Sequence, residues 1–335
     1  MIRRIKAGRA IALISAVLVS GVMSTAAIAA KDVGKGHDHR TFYADGKIDY
    51  GNIGDSYNSD LSMYLAGNQF MVMQDLIGAF QKANPDIKKI FVETIPPGQI
   101  LKGQLLKQGK IAGKKISKTP DLFASVNVNH LNLLHKKKMM NDYMIYTHNK
   151  LALEVLEGNP KNIKSPMDMT RKDVVVTLPN PLTEGIFKFY GSKMLKMYGI
   201  YDEVTGNAKC KSCWAIKGKT WFTSRHHRET PLRLLAGQTD VGLVWTTEII
   251  YQREIGRKIE GVDIPAPYNM GDKVAYAIGA LNKAPHAKNA ERFLAFLGTA
   301  EAQDIYAKHG FIKATAAELK LKPLPSKSAK PSKKK

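Results

Sequence analysis

The chain has little cysteine, few acidic residues, and no apolar run that is long enough to span a membrane. Only two of its 335 residues are cysteine, which excludes a small fold held together by several disulfides. The sequence contains no nucleophile elbow, phosphate-binding loop or HExxH pattern, so neither an enzyme nor a cofactor is predicted. Glycine and proline are ordinary in number, and 44% of the residues are hydrophobic, which excludes collagen-like and wholly disordered chains. The length allows one large domain or two modest ones.

The excess of basic residues lies partly at the two ends of the chain. Residues 1–29 contain four basic residues and residues 319–335 contain seven lysines, with no acidic residue in either segment. Without these segments the formal charge falls from +22 to +11. The remaining charge is spread along the chain and is not interleaved with aromatic residues, so nucleic-acid binding is not predicted. Residues 319–335 alternate lysine with proline, serine and alanine, which predicts a disordered tail.

The N-terminus has the pattern of a secretory signal peptide. Four basic residues precede the apolar run 10–22, and Ala27-Ile28-Ala29 follows as a small-x-small cleavage site. We therefore expect residues 1–29 to be removed near Ala29 and the mature protein to be periplasmic. Residues 30–59 are poor in apolar side chains and are predicted to be a flexible leader.

Beyond residue 60, short apolar runs alternate with stretches of helical periodicity. Runs at 61–66, 90–95, 121–125, 174–178 and 240–245 are typical of buried strands. Helical spacing separates them, for example at 70–82 and 184–197. This alternation predicts βαβ units and an α/β fold with mainly parallel sheets.

Small polar residues follow several of the predicted strands. In open α/β sheets ligands bind at the carboxyl ends of the strands, where loops meet helix N-termini. Any one of these loops is explained equally well by residues that cap helices or form turns. Their recurrence after five strands favours a ligand-binding cleft.

Four stretches of the sequence resemble the solute-binding proteins of ABC importers, in the branch that includes molybdate- and sulfate-binding proteins. The resemblance covers about residues 61–311. Residues 290–297, AERFLAFL, continuing to Gly310-Phe311, carry it most specifically. Residues 149–163, similar to the family's crossover into its second domain, carry it next. PDLFAS at 120–125 and LAGQTDVG at 235–242 add weaker support.

The resemblance implies an α/β fold of two lobes, the type II periplasmic-binding-protein-like fold, with mainly parallel central sheets and two hinge crossovers. Lobe one would comprise residues 60–148 and 267–318, and lobe two residues 149–266, closing on one small ligand. It also implies a monomer that delivers its ligand to an inner-membrane ABC permease. The implied ligand-binding residues are Asn68, Gln69, Gln99, Ser125, Asn127, Asn180, Thr183, Glu184, Arg228, Thr230, Thr246 and Thr247.

A molybdate-type oxyanion is the ligand that the resemblance favours, but three carboxylates near the expected cleft require an explanation. Glu184, Glu229 and Glu248 would each repel a dianion by several kcal/mol unless they are paired. Arg228 is a candidate partner for one of them. If the carboxylates instead contact the ligand, the solute is not a plain oxyanion, and a metal complex or a cation-bearing solute fits better.

The pair Cys210 and Cys213 allows more than one interpretation. In an exported protein, a CxxC pair predicts a local disulfide. A zinc site with His226 or His227 is the alternative, although adjacent histidines seldom bind one metal together and no second cysteine pair exists. A periplasmic metal or redox accessory protein that uses these two cysteines is therefore the second functional hypothesis.

Overall fold

The computed structural model describes residues 38–107, 109–111, 113–210, 212–223 and 227–325, and most of its strands form two large sheets. The predicted signal peptide, residues 30–37 of the leader and residues 326–335 of the tail lie outside the described residues. The strands are β1 His39–Tyr43, β2 Ile48–Tyr50, β3 Leu61–Leu65, β4 Lys89–Thr94, β5 Lys110–Ile111, β6 Lys114–Lys115, β7 Leu122–Ser125, β8 Asp142–His148, β9 Leu151–Leu156, β10 Val176–Leu178, β11 Cys213–Ile216, β12 Thr220–Phe222, β13 Val241–Trp245, β14 Ile259–Asp263, β15 Ala275–Ala280, β16 Ile312–Lys313 and β17 Lys322–Pro323.

Both large sheets have parallel strands at their centre, as the predicted α/β fold class requires. The nine-stranded sheet has the order β16-β8-β15-β7-β3-β4-β1-β2, with β17 also paired to β8. Its central strand β3 is parallel to β4 and β7. The six-stranded sheet has the order β11-β12-β10-β13-β9-β14, and its strand β10 is parallel to β12 and β13. The flanking strands of both sheets pair antiparallel.

Helices cover the faces of the two sheets. The α-helices are α1 Met73–Ala83, α2 Pro97–Gln99, α3 Val128–Lys136, α4 Ser192–Met197, α5 Tyr201–Thr205, α6 Thr230–Leu235, α7 Thr246–Glu254, α8 Ala287–Leu297 and α9 Ala300–Lys308. Helix α1 buries Met73, Leu76, Ile77 and Phe80, the spacing of one apolar helix face. The Phe80 ring packs edge-on against Phe293 of α8, with ring centroids 5.0 Å apart. In the described part of the chain, no helix has the length and apolar character needed to span a membrane.

Two irregular helices are important for the cavity described below. The π-helical segment Ile100–Leu105 continues α2, and the π-helical segment Ile186–Gly191 leads into α4. Two short 3-10 helices, Gly67–Met71 and His227–Glu229, also lie beside the cavity.

The chain passes between the two sheets twice. Strand β8 of the first sheet leads directly into β9 of the second, and the chain returns from β14 to β15. We call the part built on the nine-stranded sheet, residues 38–148 and 275–325, the first lobe. The part built on the six-stranded sheet, residues 151–263, is the second lobe. At the first crossing, the Asn149 side chain donates hydrogen bonds to Thr247 Oγ1 (3.0 Å) and the Tyr276 hydroxyl (3.4 Å).

The prediction of a flexible leader over residues 30–59 is wrong for its described part. Strand β1 pairs with β4 over five residues, and β2 pairs with β1 at the edge of the sheet. The polar side chains of β1 have distant partners: Arg40 donates to the Phe70 carbonyl at 2.6 Å, and His39 contacts Glu93 at 3.0 Å. Low local hydrophobicity therefore did not indicate disorder here, because the partners lie far away along the chain.

The described start of the predicted disordered tail is also ordered. Strand β17 pairs with β8, and Leu324 beyond it is buried against the first lobe. Leu319 also packs against the core, so the segment has apolar side chains to bury among its lysines.

Candidate functional site

A cavity of about 210 Å³ lies between the two lobes, at the carboxyl ends of strands from both sheets. The first lobe contributes the segments that follow β3, β4 and β7. The second lobe contributes the segment after β10, the 3-10 helix at His227 and the end of β13. The lining residues are Ala66, Gly67, Asn68, Pro96, Pro97, Gly98, Gln99, Lys102, Val126 and His130 from the first lobe, and Leu182, Thr183, Glu184, Gly185, Ile186, Lys188, Phe189, His227, Arg228 and Trp245 from the second.

A histidine between two buried glutamates forms one wall of the cavity. His227 Nδ1 is 2.6 Å from Glu184 Oε2, and His227 Nε2 is 2.8 Å from Glu248 Oε1. The backbone N–H of His227 also donates to Glu184 Oε2 at 2.6 Å. Burial lowers the pKa of His227, but the carboxylates of Glu248 and Glu184 raise it by more than burial lowers it. The net result is a pKa of about 10. The ring is therefore an imidazolium at neutral pH, and it compensates part of the charge of both carboxylates.

Arg228, the next residue, joins the two lobes. Its guanidinium is 3.1 Å from Asp38 Oδ1 and donates hydrogen bonds to the Gly67 and Thr94 carbonyls, all in the first lobe. It also lies over the Phe70 ring, 4.2 Å from the centroid. Since Arg228 is only 8% exposed, these are buried contacts across the cleft. Tyr190 makes a second link, donating to the Val126 carbonyl at 2.7 Å.

Two lysines at the cavity carry positive charge that the protein does not neutralise. Lys102 belongs to the π-helical segment of the first lobe, and Lys188 belongs to that of the second. Both are exposed, and among the described residues neither has a carboxylate within ion-pair distance. His130 lies near both of them. Burial first, and then the charges of Lys102 and Lys188, lower its pKa to about 4, so this ring is neutral at pH 7.

The sequence of residues 61–312 matches the family model of the bacterial extracellular solute-binding proteins. The chain belongs to this family. A sulfate-binding protein from Synechococcus elongatus is 30% identical to this solute-binding protein over 169 residues, which is 50% of this chain and 47% of that protein. The chain therefore spans about half the length of that relative.

Solved structures share the fold of this solute-binding protein. The periplasmic molybdate-binding protein of Azotobacter vinelandii superposes with a TM-score of 0.60 at 15% identity, over 76% of this chain and 100% of that one. The sulfate-binding protein SubI of Mycobacterium tuberculosis superposes with a TM-score of 0.58 at 19% identity, over 77% of this chain and 88% of that one.

Five of the sequence-predicted ligand residues line the cavity: Asn68, Gln99, Thr183, Glu184 and Arg228. Three of them are already engaged within the protein. Asn68 Nδ2 donates to the Tyr276 hydroxyl at 2.6 Å, while Glu184 and Arg228 make the contacts given above. The Thr183 hydroxyl is buried and has no hydrogen-bond partner among the described residues, so it remains available to a ligand.

The other predicted residues of this solute-binding protein do not line the cavity and make structural hydrogen bonds or packing contacts beside it. In the first lobe, Gln69 accepts a bond from the Tyr306 hydroxyl (2.9 Å), Ser125 Oγ is bonded to His130 Nδ1 (2.9 Å), and Asn127 caps α3 through the Asn129 N–H (3.0 Å). In the second lobe, Asn180 Nδ2 donates to the Thr223 carbonyl (2.7 Å), Thr230 packs on Gly242, Thr246 Oγ1 donates to the Lys150 carbonyl (3.3 Å), and Thr247 accepts from Asn149 (3.0 Å). Capping, the simpler interpretation, describes Asn127, whereas Gln69 and Thr247 hold distant parts of the chain together.

Cys210 and Cys213 form a disulfide at the start of β11. It lies beside the loop that leads into the cavity, because Asn180 Nδ2 also approaches the Cys210 carbonyl at 3.4 Å. His227, which the zinc hypothesis invoked, has both ring nitrogens on carboxylates. His226 lies outside the described residues.

Four cavity residues were not predicted from the sequence: Lys102, His130, Lys188 and Phe189. Lys102 follows Gln99 by three residues and Lys188 follows Glu184 by four, but both lysines lie in π-helical segments, where α-helical spacing does not define a shared face.

Proposed function

We propose that this solute-binding protein is the monomeric periplasmic receptor of an ABC importer and that its two lobes close around a molybdate-type oxyanion. The shared fold with molybdate- and sulfate-binding proteins supports the proposal, as does the sulfate-binding relative. An oxyanion receptor must also offer a positive cavity, and the charges around the cavity are consistent with this requirement.

The observation that carries the proposal is the pair of lysines without acidic partners, one from each lobe. Lys102 and Lys188 lie on opposite sides of the cleft, so an anion bound between them favours closure of both lobes. Two opposite charges about 4 Å apart in partly buried surroundings attract one another by about 4 kcal/mol. A single anion can therefore interact with both lysines only when the lobes are together.

Glu184, Glu229 and Glu248, which would repel an oxyanion if they were unpaired, have partners in the structure. Glu184 and Glu248 share the His227 imidazolium, and Glu229 is 3.4 Å from Arg233 Nε. Arg228 is balanced by Asp38. With these groups compensated, the charge of Lys102 and Lys188 outweighs the one negative charge that remains on the histidine and its two glutamates. These side chains together therefore carry a net positive charge.

Ligand-induced stabilisation tests the proposal. Purified protein is heated with molybdate, tungstate, sulfate or phosphate, and affinities are measured by titration calorimetry. We expect at least one of these anions to raise the melting temperature, because a ligand that binds only the folded state stabilises it. Lys188→Gln should lower the affinity for that anion about tenfold or more. The matched control Lys193→Gln, an exposed lysine of α4 outside the cavity, should leave the affinity unchanged. The proposal fails if no oxyanion binds or if both variants behave alike.

A further inference from the structure

The cavity is larger than an inorganic oxyanion needs. It measures about 210 Å³, whereas about 10–15 Å³ of such space accommodates one water molecule. The space is therefore roughly ten times or more what one water requires, and it has room for ligand atoms beyond those of a tetrahedral oxyanion.

Carbon side chains form a continuous part of the cavity wall and come from both lobes. Val126 of the first lobe faces Phe189 of the second, and both lie beside Gly185, where an added Cβ would be 3.6 Å from a Val126 methyl and 3.3 Å from the Phe189 ring. Leu182 and Ile186 extend this wall. Leu182 is 49% exposed, so its side chain is accessible to a bound ligand. An anion placed against these side chains would lose water without gaining hydrogen bonds.

The polar side chains on the opposite wall have few donors left. Arg228 is bonded to Asp38 and to two backbone carbonyls, and His227 donates from both ring nitrogens to carboxylates. Asn68 donates to Tyr276. Of the described side chains that line the cavity, Lys102, Lys188, Gln99, Thr183 and the Trp245 indole N–H have no protein acceptor, and His130 Nε2 has no hydrogen-bond partner. Since only the two lysines among them are cationic, the cavity is suited to a ligand with one anionic group.

We infer that the natural solute is a small organic anion, with one phosphonate, sulfonate or carboxylate group between Lys102 and Lys188 and an apolar body against Val126, Leu182 and Phe189. This inference rests on the proposed binding of an anion between the lobes. The inference changes the expected ligand from an inorganic oxyanion to an anionic group attached to a carbon skeleton about the size of a phenyl ring. Lys188 Nζ lies 5.9 Å from the Phe189 ring centroid, so the charged and apolar parts of this site adjoin one another.

Matched pairs of anions test the inference. Titration calorimetry compares phosphate with phenylphosphonate and sulfate with benzenesulfonate on the purified protein, with molybdate as a further inorganic anion. We expect each phenyl compound to bind at least about tenfold more tightly than its inorganic counterpart, because burial of the ring removes apolar surface from water. Phe189→Ala should lower the affinity for phenylphosphonate about tenfold and the affinity for phosphate by less than twofold. Lys188→Gln should lower the affinity for both ligands.

The outcomes separate this inference from the proposed function. If an inorganic oxyanion binds as tightly as its phenyl counterpart, the organic solute is refuted while the oxyanion receptor stands. If neither class binds, both proposals fail. Equal weakening of both classes by Phe189→Ala also refutes the inference. Thermal unfolding of each variant checks its fold, and Leu182→Ser, at an exposed position, replaces Phe189→Ala if that variant does not fold. Trp214→Ala, an exposed aromatic outside the cavity, is the matched control and should change neither affinity.

Discussion

The free energy of unfolding should fall between pH 8 and pH 9.5 because of His227. Burial opposes the charge on this ring, but Glu248 and Glu184 raise its pKa from 6.5 to about 10. A raised pKa in the folded state stabilises the fold fully below pH 6.5, and this contribution is lost as the pH rises toward 10. Between these limits, each pH unit lowers the free energy of unfolding by about 1.4 kcal/mol, since the folded protein holds one proton that the unfolded chain has released. The loss from pH 8 to pH 9.5 should therefore be about 2 kcal/mol.

Urea unfolding at several pH values measures this slope, and His227→Gln should remove it. The window starts at pH 8 because Glu154, whose pKa burial raises to about 8, adds a slope of the same sign below that value. The variant should also be less stable at pH 7 by about 3–5 kcal/mol, because two buried carboxylates lose their partner. His148→Gln, which removes a histidine paired with the more exposed Glu318, should keep the wild-type slope. A wild-type protein with constant stability from pH 8 to pH 9.5, or a variant with an unchanged slope, would refute the assignment of the imidazolium.

Three further variants follow from buried groups. Glu154→Gln should raise the unfolding free energy by a few kcal/mol at pH 8 and by little at pH 4, because a fully buried carboxyl with a pKa of about 8 disfavours the fold once the unfolded chain ionises. Urea unfolding checks this, with the exposed Glu157→Gln as control, and equal stability of wild type and Glu154→Gln at pH 8 would contradict it. Arg228→Met should weaken the bound anion about tenfold or more by calorimetry, since the closed form loses its buried link to Asp38. An unchanged affinity would show that this link does not hold the lobes together. Tyr190→Phe should weaken binding about fivefold through one lost hydrogen bond to Val126, while Tyr198→Phe, outside the cavity, leaves it unchanged.

Strands at the centre of the sheets were predictable because they are buried on both faces. The runs predicted at 61–66, 90–95 and 121–125 correspond to Leu61–Leu65, Lys89–Thr94 and Leu122–Ser125. Continuous apolar sequence is the local signal of such strands. Strand His39–Tyr43, which lies next to the edge strand of the sheet, has no such signal. Its histidine and arginine are accommodated by Glu93 and by the Phe70 carbonyl, which no local window of sequence contains.

The loops at the cavity were predictable from their position after strands, but the cationic side chains were not. Lys102 and Lys188 both lie in π-helical turns, whose period differs from the 3.6 residues that sequence templates assume. The sequence also contained the carboxylates of Glu184 and Glu248 without showing their partner. Only the fold brings His227 between them, 43 residues from one and 21 from the other.

His227 and its two glutamates are separate from Lys102 and Lys188, and this separation affects how the ligand specificity of the protein can change in evolution. His227, Glu184 and Glu248 are buried and partner one another, whereas Lys102 and Lys188 are exposed and make no structural ion pair with the described residues. Exchanging either lysine should cost little stability. A descendant could thus acquire a neutral or cationic cargo by replacing two side chains at the rim, and the same two positions are where a designer would begin to build a biosensor for a new compound.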